Sequence, residues 1–211
     1  ASTSFSPKSY NNKYGVPLSL FNLKQDKDFG IFEVGMDKKG EIDYLTKILK
    51  PDLGIITNIS YAHSKNFKNI NGIAKAKSEI IDNIKSGGAI ILNADDNFYK
   101  FHKQKAVQRN LKIFSFSINN KKSYSKLIKI KNVNRRFQIF IRINSQKLSF
   151  FSNNNTKSHI QNLLATLTVL SLFFNIKRIP KDIFLDFKLP EGRGDISKLR
   201  FKGKIINFID E

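Results

Sequence analysis

Apolar positions in the first half of the chain fall into short runs that alternate with helical stretches. Phe29 to Val34 and Leu53 to Ile59 read as strands, and Glu41 to Leu49 is helical between them, up to Pro51. A helix over Ile73 to Ile84 follows, then a strand over Ala89 to Asn93 entered through Gly87-Gly88. Next come a helix from Asn97 to about Gln108 and a strand over Lys112 to Phe116. This alternation predicts an α/β fold: a doubly wound, mostly parallel sheet with helices on its faces. From Tyr124 to Phe151 the period changes to two, as in Phe137, Ile139, Ile141 and Ile143, which predicts a small antiparallel β insert. After a polar loop over Asn153 to Thr156, Ile160, Leu163, Leu164, Leu167, Leu170 and Phe174 form a helical stripe. Its greasiest part, Leu163 to Phe174, is broken by Thr166, Thr168 and Ser171, so it reads as a core helix and not a membrane span. Lys204 to Ile209 predicts a last strand. With no internal repeat and no long linker, residues 1–211 read as one domain.

Composition narrows the class. The 211 residues carry 40% hydrophobic and 12% aromatic residues, which is a globular content. The absence of cysteine excludes a disulfide scaffold, thiolate zinc sites, iron–sulfur ligation and cysteine nucleophiles, and is compatible with a reducing cytoplasm. Ala1 to Asn12 has no apolar signal-peptide core, and the chain reads as one cut from something longer. The net charge of +20 raises nucleic-acid binding as a competing reading. Against it, the lysines are spread along the whole chain. The densest cluster, from Lys121 to Arg136, has no Arg/Gly repeat and no aromatic RNA-binding signature. Joint enrichment in Lys, Asn, Ile and Phe fits codon bias in an AT-rich genome.

Five residues stand out chemically. Glu33 closes an apolar strand and His63 lies a few residues beyond the next, so in an open parallel sheet both face the crevice at the strands' carboxyl ends. A carboxylate and an imidazole there suggest a metal or phosphate site; a capping carboxylate and a backbone-satisfied histidine are the plain alternatives. On a wheel started at Ile73, Ala76, Ile80, Ile81 and Ile84 fall within about 80° of zero and Lys77 at about 40°, whereas Lys75 points to water at about 200°. A lysine on a buried stripe must snorkel, pair or lose charge, and a desolvated amine can be carbamylated by carbon dioxide. Asn162 lies off its helix's apolar stripe near the N-terminus, where it either meets a ligand or is solvated. Arg193 sits between Gly192 and Gly194, which allows close approach of an anion but also suits a plain turn.

Glu33-Val34-Gly35-Met36, followed by Gly40-Glu41-Ile42, resembles the Mur ligase family. So do Asn58 to His63, Gly72 to Ile81, Asn93-Ala94-Asp95-Asp96, and Gly15 to Leu20 after Asn11-Asn12. The likeness runs nearly end to end and is nearest the branch that joins D-alanyl-D-alanine to UDP-N-acetylmuramoyl-tripeptide in peptidoglycan synthesis. It implies the central ATP-binding domain of a three-domain cytoplasmic, monomeric ligase that uses ATP and Mg²⁺. It further implies Glu33 and His63 as metal ligands and Lys77 as a carbamylated lysine holding a second Mg²⁺. Asn162 would contact adenine, Arg193 the phosphates, Asp210 or Glu211 the ribose, and Asn11 and Asn12 the substrate. Two departures qualify the resemblance. Ser158 and His159 stand where the family's Gly-x-His-Asn-x-x-Asn has His and Asn, and no Gly-x-x-x-x-Gly-Lys-Ser/Thr occurs in the 211 residues. The resemblance implies such a phosphate loop just before Ala1, a tripeptide-nucleotide domain upstream and a D-alanyl-D-alanine domain downstream. It also implies that this chain does not complete the ligation unaided. Another Mur- or folylpolyglutamate-type amino-acid ligase is the competing enzymatic reading.

Overall fold

The computed structural model describes residues 1–7, 9–24, 26–61, 66–120, 122–186, 195–201 and 204–210, the last two segments as backbone. In chain order they form β1 (Thr3–Phe5), α1 (Gly15–Phe21), β2 (Phe29–Ile31), α2 (Glu41–Leu49), β3 (Leu53–Ile56), α3 (Ile70–Lys77) and α4 (Glu79–Asp82). Then follow β4 (Ala89–Asn93), α5 (Tyr99–Gln108), β5 (Lys112–Ser117), β6 (Ser125–Val133), β7 (Arg136–Ile143), β8 (Gln146–Ser152) and α6 (Lys157–Phe173). A 3-10 turn (Ile176–Arg178), β9 (Asp195–Phe201) and β10 (Lys204–Asp210) complete the set.

The main sheet has the order β3-β4-β5-β6-β7-β8. Its first four strands are parallel and its last two pairings antiparallel. Period-two patterning therefore located the antiparallel meander, and β6 joins it to the parallel sheet: Phe116 pairs with Ser125 and Ser117 with Lys126. A register shift between Leu127 and Lys129 bends β6 as it leaves β5. Asn134 and Arg135, both at positive φ, make the tight two-residue turn into β7. The strand expected over Phe29 to Val34 is shorter, and β2 pairs in parallel with β1 in a sheet of their own. The helix expected over Ile73 to Ile84 starts at Ile70, where Asn69 accepts the Gly72 amide, and is interrupted at Ser78, whose hydroxyl donates to Lys75 O at 2.6 Å.

Apolar side chains on the two faces of β4 feed two cores. Ile90 and Leu92 pack with Ile73, Ala76, Ile81 and Ala106 from α3, α4 and α5. Ile91 packs on the other face with Phe116, Ile139, Ile141 and the Ile160-Leu164-Leu167 stripe of α6. Each fully buried residue of this kind contributes about 1.5–3 kcal/mol, so helices on both faces hold the sheet. Thr168 ties α6 to β6 through a buried hydrogen bond between its hydroxyl and that of Ser125, 2.7 Å long. Phe173 and Phe174 at the end of α6 contact Phe29, ring centroids 5.0 and 5.9 Å away, and bring β2 alongside.

Candidate functional site

The Asn93–Asp96 turn at the carboxyl end of β4 organises the site. Asn93 Nδ2 donates to Thr57 O at 2.9 Å, and Asn93 Oδ1 accepts the Asp95 amide. Asp96 accepts the Ile59 amide through Oδ2 at 2.9 Å and the Phe98 amide through Oδ1 at 2.8 Å. One turn thus clamps the segment that leaves β3 and at the same time starts α5. Asp95 anchors the neighbouring strand end, accepting from the Ser117 hydroxyl and the Ile118 amide.

Lys77, half-buried at the end of α3, reaches this clamp: its Nζ donates to Asn58 O at 3.0 Å. Burial lowers its pKa below the usual lysine value, and the Asp96 carboxylate acts in the opposite sense. Lys75, two residues earlier, is exposed. The wheel thus separated the two lysines correctly, although part of α3 lies before the helix it assumed. His102 of α5 is buried behind the same cluster with Nε2 3.2 Å from Ala74 O, and burial holds its pKa below 6.5.

Glu33 lies two residues beyond β2. Its Oε1 accepts Asn11 Nδ2 at 3.0 Å, and Asn11 O accepts the Gly35 amide at 2.7 Å. A Cβ on Gly35 would come within 2.9 Å of the Asn11 side chain, so glycine permits this approach. Glu33 Oε2 has no hydrogen bond among the described residues, which leaves an oxygen donor of the hard type that Mg²⁺ prefers. Asn12 acts locally: its Oδ1 accepts the Tyr14 and Gly15 amides at the start of α1. A further carboxylate, Glu79 of α4, receives the amides of Gly40 and Asp43 at the start of α2. Glu41 Oε2 accepts the Asp37 and Lys38 amides, and these bonds hold its carboxyl below the usual range.

Asn162 is exposed near the start of α6. His159, standing where the family motif has Asn, is buried and pairs its Nε2 with the Ser152 hydroxyl at 2.8 Å, which makes it a link between α6 and β8. His63, Arg193 and Glu211 lie outside the described residues, and Asp210 is described only as the end of β10, paired with Asp195. Among the described residues no three His, Cys, Asp or Glu side chains converge as a metal cluster. Asn58, Asn93, Asp96 and Glu79 escaped notice as single residues. The signal for Asn93 and Asp96 was their place at the end of an apolar strand and just beyond it, where a polar side chain can fold back on a neighbouring strand end; Asn58 acts through its backbone carbonyl, which leaves no such signal.

The Mur ligase middle domain family matches residues 2–170. A UDP-N-acetylmuramoyl-tripeptide–D-alanyl-D-alanine ligase of Rickettsia prowazekii is 31% identical over 195 residues, covering 91% of this chain and 43% of that protein. The ligase of the same name from Buchnera aphidicola of Acyrthosiphon pisum is 42% identical over 115 residues, 54% of this chain and 25% of that protein. A crystal structure of MurF from Acinetobacter baumannii superposes with a TM-score of 0.84 at 25% identity, covering all of this chain and 44% of that one. MurF from Thermotoga maritima in complex with ADP shares the fold, with a TM-score of 0.78 at 22% identity, over 99% of this chain and 46% of that one. The chain therefore spans less than half the length of these relatives.

Proposed function

Since the chain belongs to the Mur ligase family, through that family's middle domain, we propose that it is the central ATP-binding domain of a cytoplasmic UDP-N-acetylmuramoyl-tripeptide:D-alanyl-D-alanine ligase of peptidoglycan synthesis. The names of the Rickettsia and Buchnera relatives support the branch. The observation that carries the site is Lys77, a half-buried amine with depressed pKa at the carboxyl edge of a parallel sheet, held by Asn58 O next to Asp96. In this reading the tripeptide's terminal carboxylate attacks the γ-phosphorus of ATP, and ADP leaves. The amine of D-alanyl-D-alanine then attacks the acyl carbon, its proton is lost, and phosphate departs with the C–O electron pair. Bound Mg²⁺ would offset the crowded negative charge of the phosphates and carboxylates. Glu33, His63 and Lys77, carrying a carbamate after reaction of its neutral amine with carbon dioxide, are the residues to hold the metal. Asn11 sets the orientation of Glu33. Asn162, Arg193 and one of Asp210 and Glu211 are assigned to the adenine, phosphates and ribose.

The protein's part is chiefly position and field. Asn58, next to the Ile59 amide that Asp96 holds, fixes where the Lys77 amine sits, and desolvation shifts it towards the neutral form that carbamylation needs. In the full-length enzyme, Lys77→Ala is expected to abolish ligation, a short carboxylic acid such as acetate to restore part of it, and Lys75→Ala to be nearly silent. Equal losses at 75 and 77, or none at 77, would remove the assignment. Replacing D-alanyl-D-alanine by a single amino acid as acceptor tests the branch: preferred turnover of the single amino acid would place the enzyme elsewhere in the family.

A further inference from the structure

A cleft of about 390 Å³, within the range of small-molecule sites, opens beside α5 and shares no residue with the Lys77–Asn58–Asp96 cluster or the Asn11–Glu33 pair. Tyr99 and Lys103 of α5 form one wall, Ile113 and Ser115 of β5 the floor, and Lys122, Ser123, Tyr124, Arg142 and Asn144 the other side. Among the described lining residues there is no carboxylate, whereas there are three cations. Ser123 is 3% exposed, and its hydroxyl is buried with no hydrogen-bond partner among the described residues. Ser115 Oγ accepts the Tyr124 amide at 3.3 Å, which leaves its own proton to donate. Arg142 is half-buried, with Nη2 3.5 Å from Ser123 O. A buried hydroxyl without a partner costs free energy unless something meets it, and here it belongs to a residue that lines a cationic cleft.

We propose that this cleft binds a phosphate oxyanion, free or as the monoester of a small organic molecule, through Arg142, Lys103 and the hydroxyls of Ser115 and Ser123. Guanidinium, ammonium and hydroxyl donors suit a tetrahedral dianion. Tyr99, Tyr124 and Ile113 add apolar wall for the organic part of a monoester. The proposal does not depend on the ligase reading.

The test is a titration of the 211-residue chain with inorganic phosphate and, separately, glycerol phosphate, at constant ionic strength. It is followed by the amide resonance of Ser123 and by the shift in melting temperature. Saturable binding is expected, weakened at least fivefold by Ser123→Ala and by Arg142→Gln and unchanged by Lys39→Gln, an exposed lysine in the turn before α2 that does not line the cleft. Ser123→Ala should itself melt no lower than the parent, because it removes an unpartnered hydroxyl; that separates a ligand role from a structural one. Tighter binding of glycerol phosphate identifies a monoester as the natural ligand, and equal binding identifies free phosphate. Non-saturating shifts, equal weakening by Lys39→Gln and Arg142→Gln, or undiminished binding by Ser123→Ala would overturn the proposal. Should Arg142→Gln not fold, the Ser123→Ala result decides.

Discussion

Asp96 shows how much of the candidate site depends on one side chain. Both its oxygens are committed to backbone amides, one on the segment leaving β3 and one at the start of α5, and its charge also acts on Lys77. Asp96→Ala leaves two amides without partners, one of them on buried Ile59, so a loss of about 1–3 kcal/mol is expected in chemical denaturation, with faster hydrogen exchange at the Ile59 amide. Asp96→Asn keeps one acceptor and should lose less; identical stability of Asp96→Ala and the parent would show that the clamp is not structural. His102 supplies a pH signature. Its folded pKa is depressed by burial below 6.5, so near that pH the unfolded chain takes up a proton that the folded one refuses. Its contribution is thus complete above about pH 6.5 and declines as pH falls through the lower folded value. Buried His159, also depressed, adds in the same direction. Denaturation between pH 7.5 and 5.5 should show stability falling, with a shallower slope in His102→Gln; an unchanged slope would exclude His102 as a source. Lys77 was legible from the sequence because helical periodicity fixes which side chain enters a buried stripe. Asp96 was not, because a clamp between strand ends 37 residues apart leaves no periodic trace.

Among the elements, α2 matched its sequence boundaries, and what starts it lies elsewhere in the chain. Gly40, at φ +90°, turns the backbone, and Glu79 of α4 presents its carboxylate to the Gly40 and Asp43 amides. Negative charge there also opposes the positive end of the helix dipole. Glu79→Ala should cost about 1–2 kcal/mol, the usual value of a lost cap, and Glu79→Gln less, since an amide oxygen still accepts. Thermal melts of both variants check the order; a silent Glu79→Ala would mean that solvent satisfies the same amides. Central strands such as β4 were legible because burial on both faces writes a continuous apolar run. β1 and β2 were hidden or misjudged because three residues of edge pairing carry too little pattern. In α1, Pro17 sits in the first turn, where its missing N–H costs nothing. The meander's connection to β5 rests on two residue pairs, which no local periodicity could announce.

Over the whole molecule, the surplus of 20 positive charges is the one property that reads as another function. Several acidic groups are already engaged: Asp43 pairs with Lys47, Asp52 with Lys85, and Asp82 with Lys105. Others, such as Asp95 and Asp96, hold backbone amides, and the lysines are spread along the whole chain, so the surplus positive charge is broadly distributed. Among the described residues no helix is long and apolar enough to cross a membrane. A diffuse field of this kind attracts any polyanion by counterion release, without distinguishing one base sequence from another. Duplex DNA should therefore bind the chain weakly at about 50 mM salt, with no preference between sequences, and at least about tenfold more weakly at about 200 mM, as neutralising only two phosphates would require. Fluorescence anisotropy with two unrelated duplexes measures both properties. If one duplex were strongly preferred and its binding persisted at the higher salt, the charge would have to be a recognition surface, and nucleic acid would become a partner in its own right. If binding is uniform and lost with salt, the basic composition leaves the ligase reading intact and accounts only for non-specific attraction.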